Sequence, residues 1–482
     1  MTAEIEQAEE QREDAFSKWY IDTVLRAELA DYTPVRGSMV IRPYGYSIWE
    51  SIQQFVDREL KATGHQNAYF PLFIPLSFIQ KEAEHVEGFA PQLAVVTHGG
   101  GEKLTEELVV RPTSETIIYD MLRKWVGSYR DLPVLLNQWA NVVRWEIRTR
   151  PFLRTLEFLW QEGHTAHATD AEADAEALLI VELYTRLIEE HLAIPVLPGM
   201  KTESEKFAGG DHTYTLESLM RDGKALQMGT SHNLGQNFSK AFGVTFLDRT
   251  GKEEYPWSTS WAVTTRLIGA IVMVHGDAKG LRLPPRVAPI QVVIVPIWKN
   301  DEERSRVEGL VGEVQSALAG AGLRVHTDWR DNVRPGFKFN DWELKGVPVR
   351  LEIGPRDAEN RSVVAARRDT GAKDTIAADQ VTDAIRNLLD NVQRGLLKEA
   401  REYLAAHTST ADSWDAVERL LIDPGGFVWV NWCDSKACEE KLAGLKATVR
   451  AIPLKVEERP PTGPCVCCGE EAQFRVVVAR SY

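Results

Sequence analysis

Cysteine is scarce in this sequence, 5 among 482 residues, and all five (Cys433, Cys438, Cys465, Cys467 and Cys468) lie beyond residue 432. That placement excludes a disulfide framework spread through the chain and implies one local site. Long apolar runs are missing too. The longest, around 267–274 and 292–297, fall far short of the ~18–20 residues a membrane span requires, so no membrane partner is expected. The acidic start, MTAEIEQAEEQRED, has neither a basic opening nor an apolar stretch, so no secretory role and a cytoplasmic location are expected. Positive charge is not in excess either. A formal net charge of −14 argues against a protein that coats nucleic acid indiscriminately, and any RNA contact has to be local. The stretch 330–373, rich in Lys and Arg, could face phosphates, although it also reads as an ordinary solvated surface.

What is present describes a folded protein: 44% hydrophobic and 26% charged residues. At ~150 residues per domain the length suggests about three domains. Between 46 and 62 apolar residues recur at helical spacing (Ile48, Trp49, Ile52, Phe55, Val56, Leu60), and Gly64 follows where a C-terminal cap belongs. The next segment, 67–74, reads as a strand limited by Pro71 and Pro75. Segments 134–146 and 155–164 read as an antiparallel hairpin whose loop carries Arg148, Arg150 and Arg154. Further strands are expected at 212–216 and 225–228, then a buried helix after Trp261 reaching 274. Non-local strand pairing around helices suggests an antiparallel α+β domain. Past the proline-rich joint at 281–285, strands and helices alternate (292–295, 302–321, 323–327, 337–344, 349–353, 362–366), which predicts a small α/β domain with a mostly parallel sheet. A charged helix over 381–407 leads to the cysteine-bearing tail. Repeats and low-complexity tracts are absent.

Arg144-Trp145-Glu146 ends the first hairpin strand, and Arg266 opens the apolar helix. Alone, either arginine reads equally well as a surface or ion-pair residue. In order with the Gly64 helix and the Pro71 strand, they resemble the three signatures of class II aminoacyl-tRNA synthetases, at 46–74, 142–162 and 261–274. The chemistry agrees, because adenylyl transfer needs a polyanion fixed in line with a carboxylate, and planar guanidinium forks hold phosphates bidentately. The resemblance implies that Arg144 holds the α-phosphate and the amino-acid carboxylate. Arg266 would lie by the γ-phosphate and adenine, Glu146 would accept from the adenine amino group, and Phe158 would stack on the ring. Thr155, Gln227, Thr230 and Thr264 would complete an ATP site, with Mg2+ bridging the phosphates.

The segments 111–116 (RPTSET), 207–211 (FAGGD) and 227–232 (QMGTSH) resemble in particular those of the prolyl-tRNA synthetases of archaeal and eukaryotic type. Thr113-Ser114-Glu115 reads locally as a helix cap, whereas in that family a Thr-x-Glu loop grips the substrate amino group. The loops 207–211 and 227–232 shape its pocket. Trp160, Glu162, His164, Phe207, Ser231 and His232, with Thr113, Glu115 and Arg144, would then bind L-proline. The interval between the second and third signatures is filled by core elements, so the large editing insertion of bacterial-type relatives is not expected. Alanine or cysteine misactivation is expected, since one methylene discriminates by only ~1–3 kcal/mol. Residues 336–357, GFKFNDWELKGVPVRLEIGPRD, resemble an anticodon-binding domain, with Glu343, Arg350, Glu352, Arg356 and Asp357 as candidate readers of tRNA(Pro), or as sheet salt bridges.

The tail carries Cys433-x4-Cys438 and Cys465-x2-Cys468, a closed thiolate set suited to structural Zn2+, with Cys467 as an alternative to Cys468. The ending ARSY resembles family members whose terminal tyrosine docks near the active site. The resemblance implies an α+β class II catalytic core over 1–284 with an antiparallel sheet. An α/β anticodon-binding domain over 285–395 and a zinc-binding α+β domain over 396–482 follow, in a homodimer. A threonyl-type specificity and an inactive RNA-binding regulator are the rivals; the retained Arg144, Glu146, Arg266, Thr113 and Glu115 favour catalysis.

Overall fold

The helix Pro43–Ala62 opens with proline in its first turn and buries Ile48, Trp49, Ile52, Phe55, Val56 and Leu60 along one face. It stops at Thr63, and Gly64 follows with φ +93°, a conformation that suits glycine at a helix end. These elements belong to a computed structural model describing residues 2–80 and 93–482.

The strand expected over 67–74 divides in two. Gln66–Asn67 pairs in parallel with Leu136 and Asn137, whereas Phe73–Pro75 joins a separate three-stranded sheet with Glu102–Val110 and Ala94–Gly99. Pro71, lacking an amide hydrogen, lies where the chain crosses from one sheet to the other. The basic hairpin forms as expected, Val134–Val143 pairing antiparallel with Glu157–His167. The third signature differs from the reading above. Trp261 belongs to a strand, Trp257–Thr264, and the helix begins only at Arg266, running to His275. The strand is wedged between Glu157–His167 and Ala225–Gly235, so its ladder prevails over any helical periodicity. The helix behind it is buried at every position from Leu267 to His275.

Antiparallel pairing continues from Ala225–Gly235 to His212–Leu219 and then to Leu197–Met200. Leu197–Met200 also pairs with Ala447–Pro453 near the C-terminus, so the antiparallel sheet of the first unit and the C-terminal sheet form one sheet of 11 strands. Gly199 permits this junction, because a Cβ there would lie 2.4 Å from that of Ala451. The α/β unit has a five-stranded sheet in which Val325–Thr327, Val292–Pro296 and Val349–Ile353 are parallel, while Ser362–Arg367 and an unanticipated Lys373–Ala377 are antiparallel. Its sheet is therefore mixed. The helix Val381–Ala406 passes unbroken through residue 395, where a boundary was expected, and packs Val392 and Leu396 on Ala193 of the first unit. Glu399 on the same helix receives both guanidinium arms of Arg282, at 2.7 and 2.9 Å.

Candidate active site

Along Glu157–His167, Phe158, Trp160, Glu162 and His164 sit at alternate positions and so share one face of the sheet. They line a cavity of about 410 Å³ together with Thr113, Glu115, Arg144, Glu146, Thr155, Phe207, Gln227, Thr230, His232, Thr264 and Arg266. Of the residues proposed for substrate, only Ser231 is not brought in. It falls between two cavity-facing positions, and its hydroxyl donates to the Ala177 carbonyl of the helix behind the sheet.

One part of the cavity is built on the buried carboxylates Glu115 and Glu162. Arg111, fully buried, donates to the carbonyls of Phe70 and Asn141 and to Asn141 Oδ1, which fixes the turn that follows. Thr113 donates to the Glu115 carboxylate. Ser114 makes no side-chain cap on the helix Glu115–Trp125; its hydroxyl donates to Glu162 Oε1 at 2.7 Å, where Gln138 Nε2 also donates. Glu162 Oε2 takes His164 Nε2 at 2.8 Å. Burial alone would lower the pKa of His164, but the bonded Glu162 and the nearby charge of Glu115 raise it instead. Burial holds His232 down at about 4, so it is neutral at pH 7; its Nδ1 meets Thr213 Oγ1 at 2.9 Å and its ring stacks on Phe207. Among the described residues, Trp160 Nε1, Ser260 Oγ and His164 Nδ1 are buried without a partner, which leaves polar atoms for a bound molecule to satisfy.

The other part carries two arginines. Arg144 donates from Nε to the Pro112 carbonyl at 3.0 Å and lies over the rings of Phe158 and Trp160. Burial pulls its pKa down, against the opposing charges of Glu115, Glu162 and Glu146. Arg266 donates to the carbonyls of Leu153 and Gln227; burial, then the neighbouring Arg144 and Arg154, lower its pKa to about 10, which leaves it a cation at neutral pH. Glu146 faces Arg154 at 3.5 Å across the hairpin loop. Phe152, Leu153, Glu205, Thr213, Ser260 and Trp261 also line the cavity and are not among the residues expected from sequence. Ser260 had a signal, the alternation Ser258, Ser260, Ala262, Thr264, which a helical reading of this segment hides.

Three families match this chain: the tRNA synthetase class II core domain (G, H, P, S and T) over residues 98–275, the anticodon binding domain over 291–388, and the prolyl-tRNA synthetase C-terminal domain over 414–482. A proline--tRNA ligase of Porphyromonas gingivalis is 51% identical over 98% of both chains. One from Acetoanaerobium sticklandii is 54% identical over 98% of this chain and 97% of the relative, and the chloroplastic/mitochondrial one of Arabidopsis thaliana is 52% identical over 98% and 88%. The chain belongs to the prolyl-tRNA synthetases. Neither the threonyl-type rival nor the inactive regulator is favoured by these matches.

In this synthetase, the residues considered for anticodon contact divide. Arg350 and Glu352 pair at 2.8 Å, and Lys373 also reaches Glu352, so these form a sheet ion cluster. Asp357 accepts the Gly354 amide at the start of its helix, and Arg356 is exposed. Glu343 instead faces Lys279 at the joint with the first unit.

At the C-terminus, the sulfurs of Cys433, Cys438, Cys465 and Cys468 lie within 4.8 Å of one another. The separations Cys433–Cys438, Cys433–Cys468 and Cys438–Cys465 are 3.5, 3.6 and 3.9 Å. A tetrahedron of ~2.3 Å zinc–sulfur bonds has edges of about 3.8 Å, so the set fits a metal. Cys467 points elsewhere, its sulfur 3.8 Å from the Cys438 carbonyl. Tyr482 docks beside the basic loop, its hydroxyl on Asp222 at 2.5 Å and its ring beneath Arg150.

Proposed function

We propose that this chain activates L-proline with ATP to form prolyl-adenylate and transfers the prolyl group to tRNA(Pro). The observation that carries the reading is one cavity lined both by the buried carboxylates Glu115 and Glu162 and by the two arginine forks of Arg144 and Arg266. Proline's ammonium would be held by Thr113 and Glu115, its ring by Trp160, Phe207 and His232, and its carboxylate by Arg144. Arg144 and Arg266 would straddle the triphosphate, with Glu146 and Phe158 at the adenine. The proline carboxylate, already ionised, attacks the α-phosphorus and pyrophosphate leaves, so positioning and charge neutralisation do most of the work. Mg2+, bound with ATP, supplies further charge neutralisation. In the second step a ribose hydroxyl of the terminal nucleotide attacks the acyl carbon and AMP leaves.

The same reading assigns anticodon recognition to the unit from about 285 to 395, with Arg356 the most available of its candidates. Structural Zn2+ is assigned to Cys433, Cys438, Cys465 and Cys468, and a cytoplasmic homodimer to the assembly. The test is ATP–pyrophosphate exchange across the twenty amino acids, with Arg144→Ala as control. Exchange strongest with proline, weaker with alanine or cysteine and abolished in the variant is the expected result. Exchange led by another amino acid overturns the substrate.

A further inference from the structure

The strand His212–Leu219 carries Thr213, Thr215 and Glu217 at alternate positions, each no more than 2% exposed. Thr213 serves the amino-acid end of the cavity through His232 and the Phe207 amide. Glu217, at the other end, is a buried carboxylate between two buried cations. It receives Lys201 Nζ at 3.0 Å and Arg450 through Nε and a terminal nitrogen at 3.1 and 2.8 Å. Arg450 comes from the strand Ala447–Pro453 of the C-terminal unit, and its carbonyl accepts Lys201 as well. Burial would raise the pKa of Glu217, but these two cations hold it down at about 2, so it is an acceptor only.

That fixed polarity propagates. The Thr215 hydroxyl donates to Glu217 Oε1 at 2.8 Å, which leaves its oxygen to accept from Gln227 Nε2 at 3.2 Å. With its amide nitrogen committed, Gln227 has Oε1 left for a ligand, and Gln227 lines the cavity. Its backbone carbonyl meanwhile accepts from Arg266. We propose that Arg450, Glu217 and Thr215 are positioning residues for ATP, through which the C-terminal unit fixes the amide of Gln227 with its oxygen toward the nucleotide. The inference rests on the reading that ATP occupies this part of the cavity.

Thr215→Val keeps the side-chain shape and the ion cluster but removes the hydroxyl link. Calorimetric titration with ATP is expected to show affinity weakened roughly fivefold to tenfold, the worth of one hydrogen bond, with the KM for proline unchanged. Thr215→Ser restores it. Arg450→Met, which leaves Glu217 with Lys201, is expected to weaken ATP in the same direction. Unchanged ATP affinity in Thr215→Val, or equal loss for ATP and proline, overturns the proposal. Proline-dependent exchange by the unaltered protein tests the activity reading separately, whereas the ATP titration decides this inference whatever that exchange shows.

Discussion

Gly163 pairs with Trp261 across two neighbouring strands, and a Cβ at Gly163 would lie 2.0 Å from the indole ring. Because that contact is with a buried, sheet-bound side chain, Gly163→Ala has to displace Trp261 within the core behind the sheet, where its ring meets His65 and Tyr184. Overpacking of this kind costs ~1–3 kcal/mol, so a lower melting temperature is expected in a thermal scan, and an unchanged one would mean that the core yields without cost. His275 tests the interior electrically. It donates to the Leu192 carbonyl, and burial lowers its pKa from 6.5 to about 4. The unfolded chain therefore binds a proton that the folded chain refuses between those values. Its stability contribution is complete above pH 6.5 and is lost as pH falls toward 4, at up to about 1.4 kcal/mol per pH unit. Melting scans from pH 7 to 4.5 are expected to show a shallower decline in His275→Gln. Individual cavity residues were legible where chemistry and strand alternation coincide, as at Phe158, Trp160, Glu162 and His164. Ser231 was not, because position in a motif says nothing about which face of the sheet a side chain takes.

For the tail, spacing alone admits either Cys467 or Cys468, since both follow Cys465 within reach of one metal. The turn decides between them. Gly469 has φ +79° and its amide closes on the Cys465 carbonyl at 2.9 Å, which folds Cys468 back beside Cys465 and leaves Cys467 outside. Metal analysis is expected to find about one zinc per chain, kept in Cys467→Ser and lost or weakened in Cys468→Ser. The reverse pattern would reassign the fourth ligand. The third signature carries a comparable lesson: the apolar run beyond Trp261 hides the alternation of Trp257–Thr264, which two flanking strands hold as a strand.

On the scale of the whole molecule, the three units and their order could be read from the changing periodicity, but their fusion could not. The pairing of Ile452 with Met200 joins strands about 250 residues apart, and nothing local in either strand signals the other. Exposure offers a clearer signal. Tyr32, Val35, Val40, Tyr69 and Phe73 are between 48% and 70% exposed, all within the segment around the first class II signature. Large apolar side chains exposed along one segment are what contact with a second copy would bury. A homodimer through this segment is therefore expected, seen by light scattering as twice the 54.2 kDa chain mass. Replacing Tyr69 and Phe73 together by Asp is expected to shift the population to monomer, because unpaired carboxylates would have to be desolvated at the contact. A monomer for the unaltered protein at micromolar concentration would remove the basis for this interface, and exchange by that monomer would show that one chain suffices for activation.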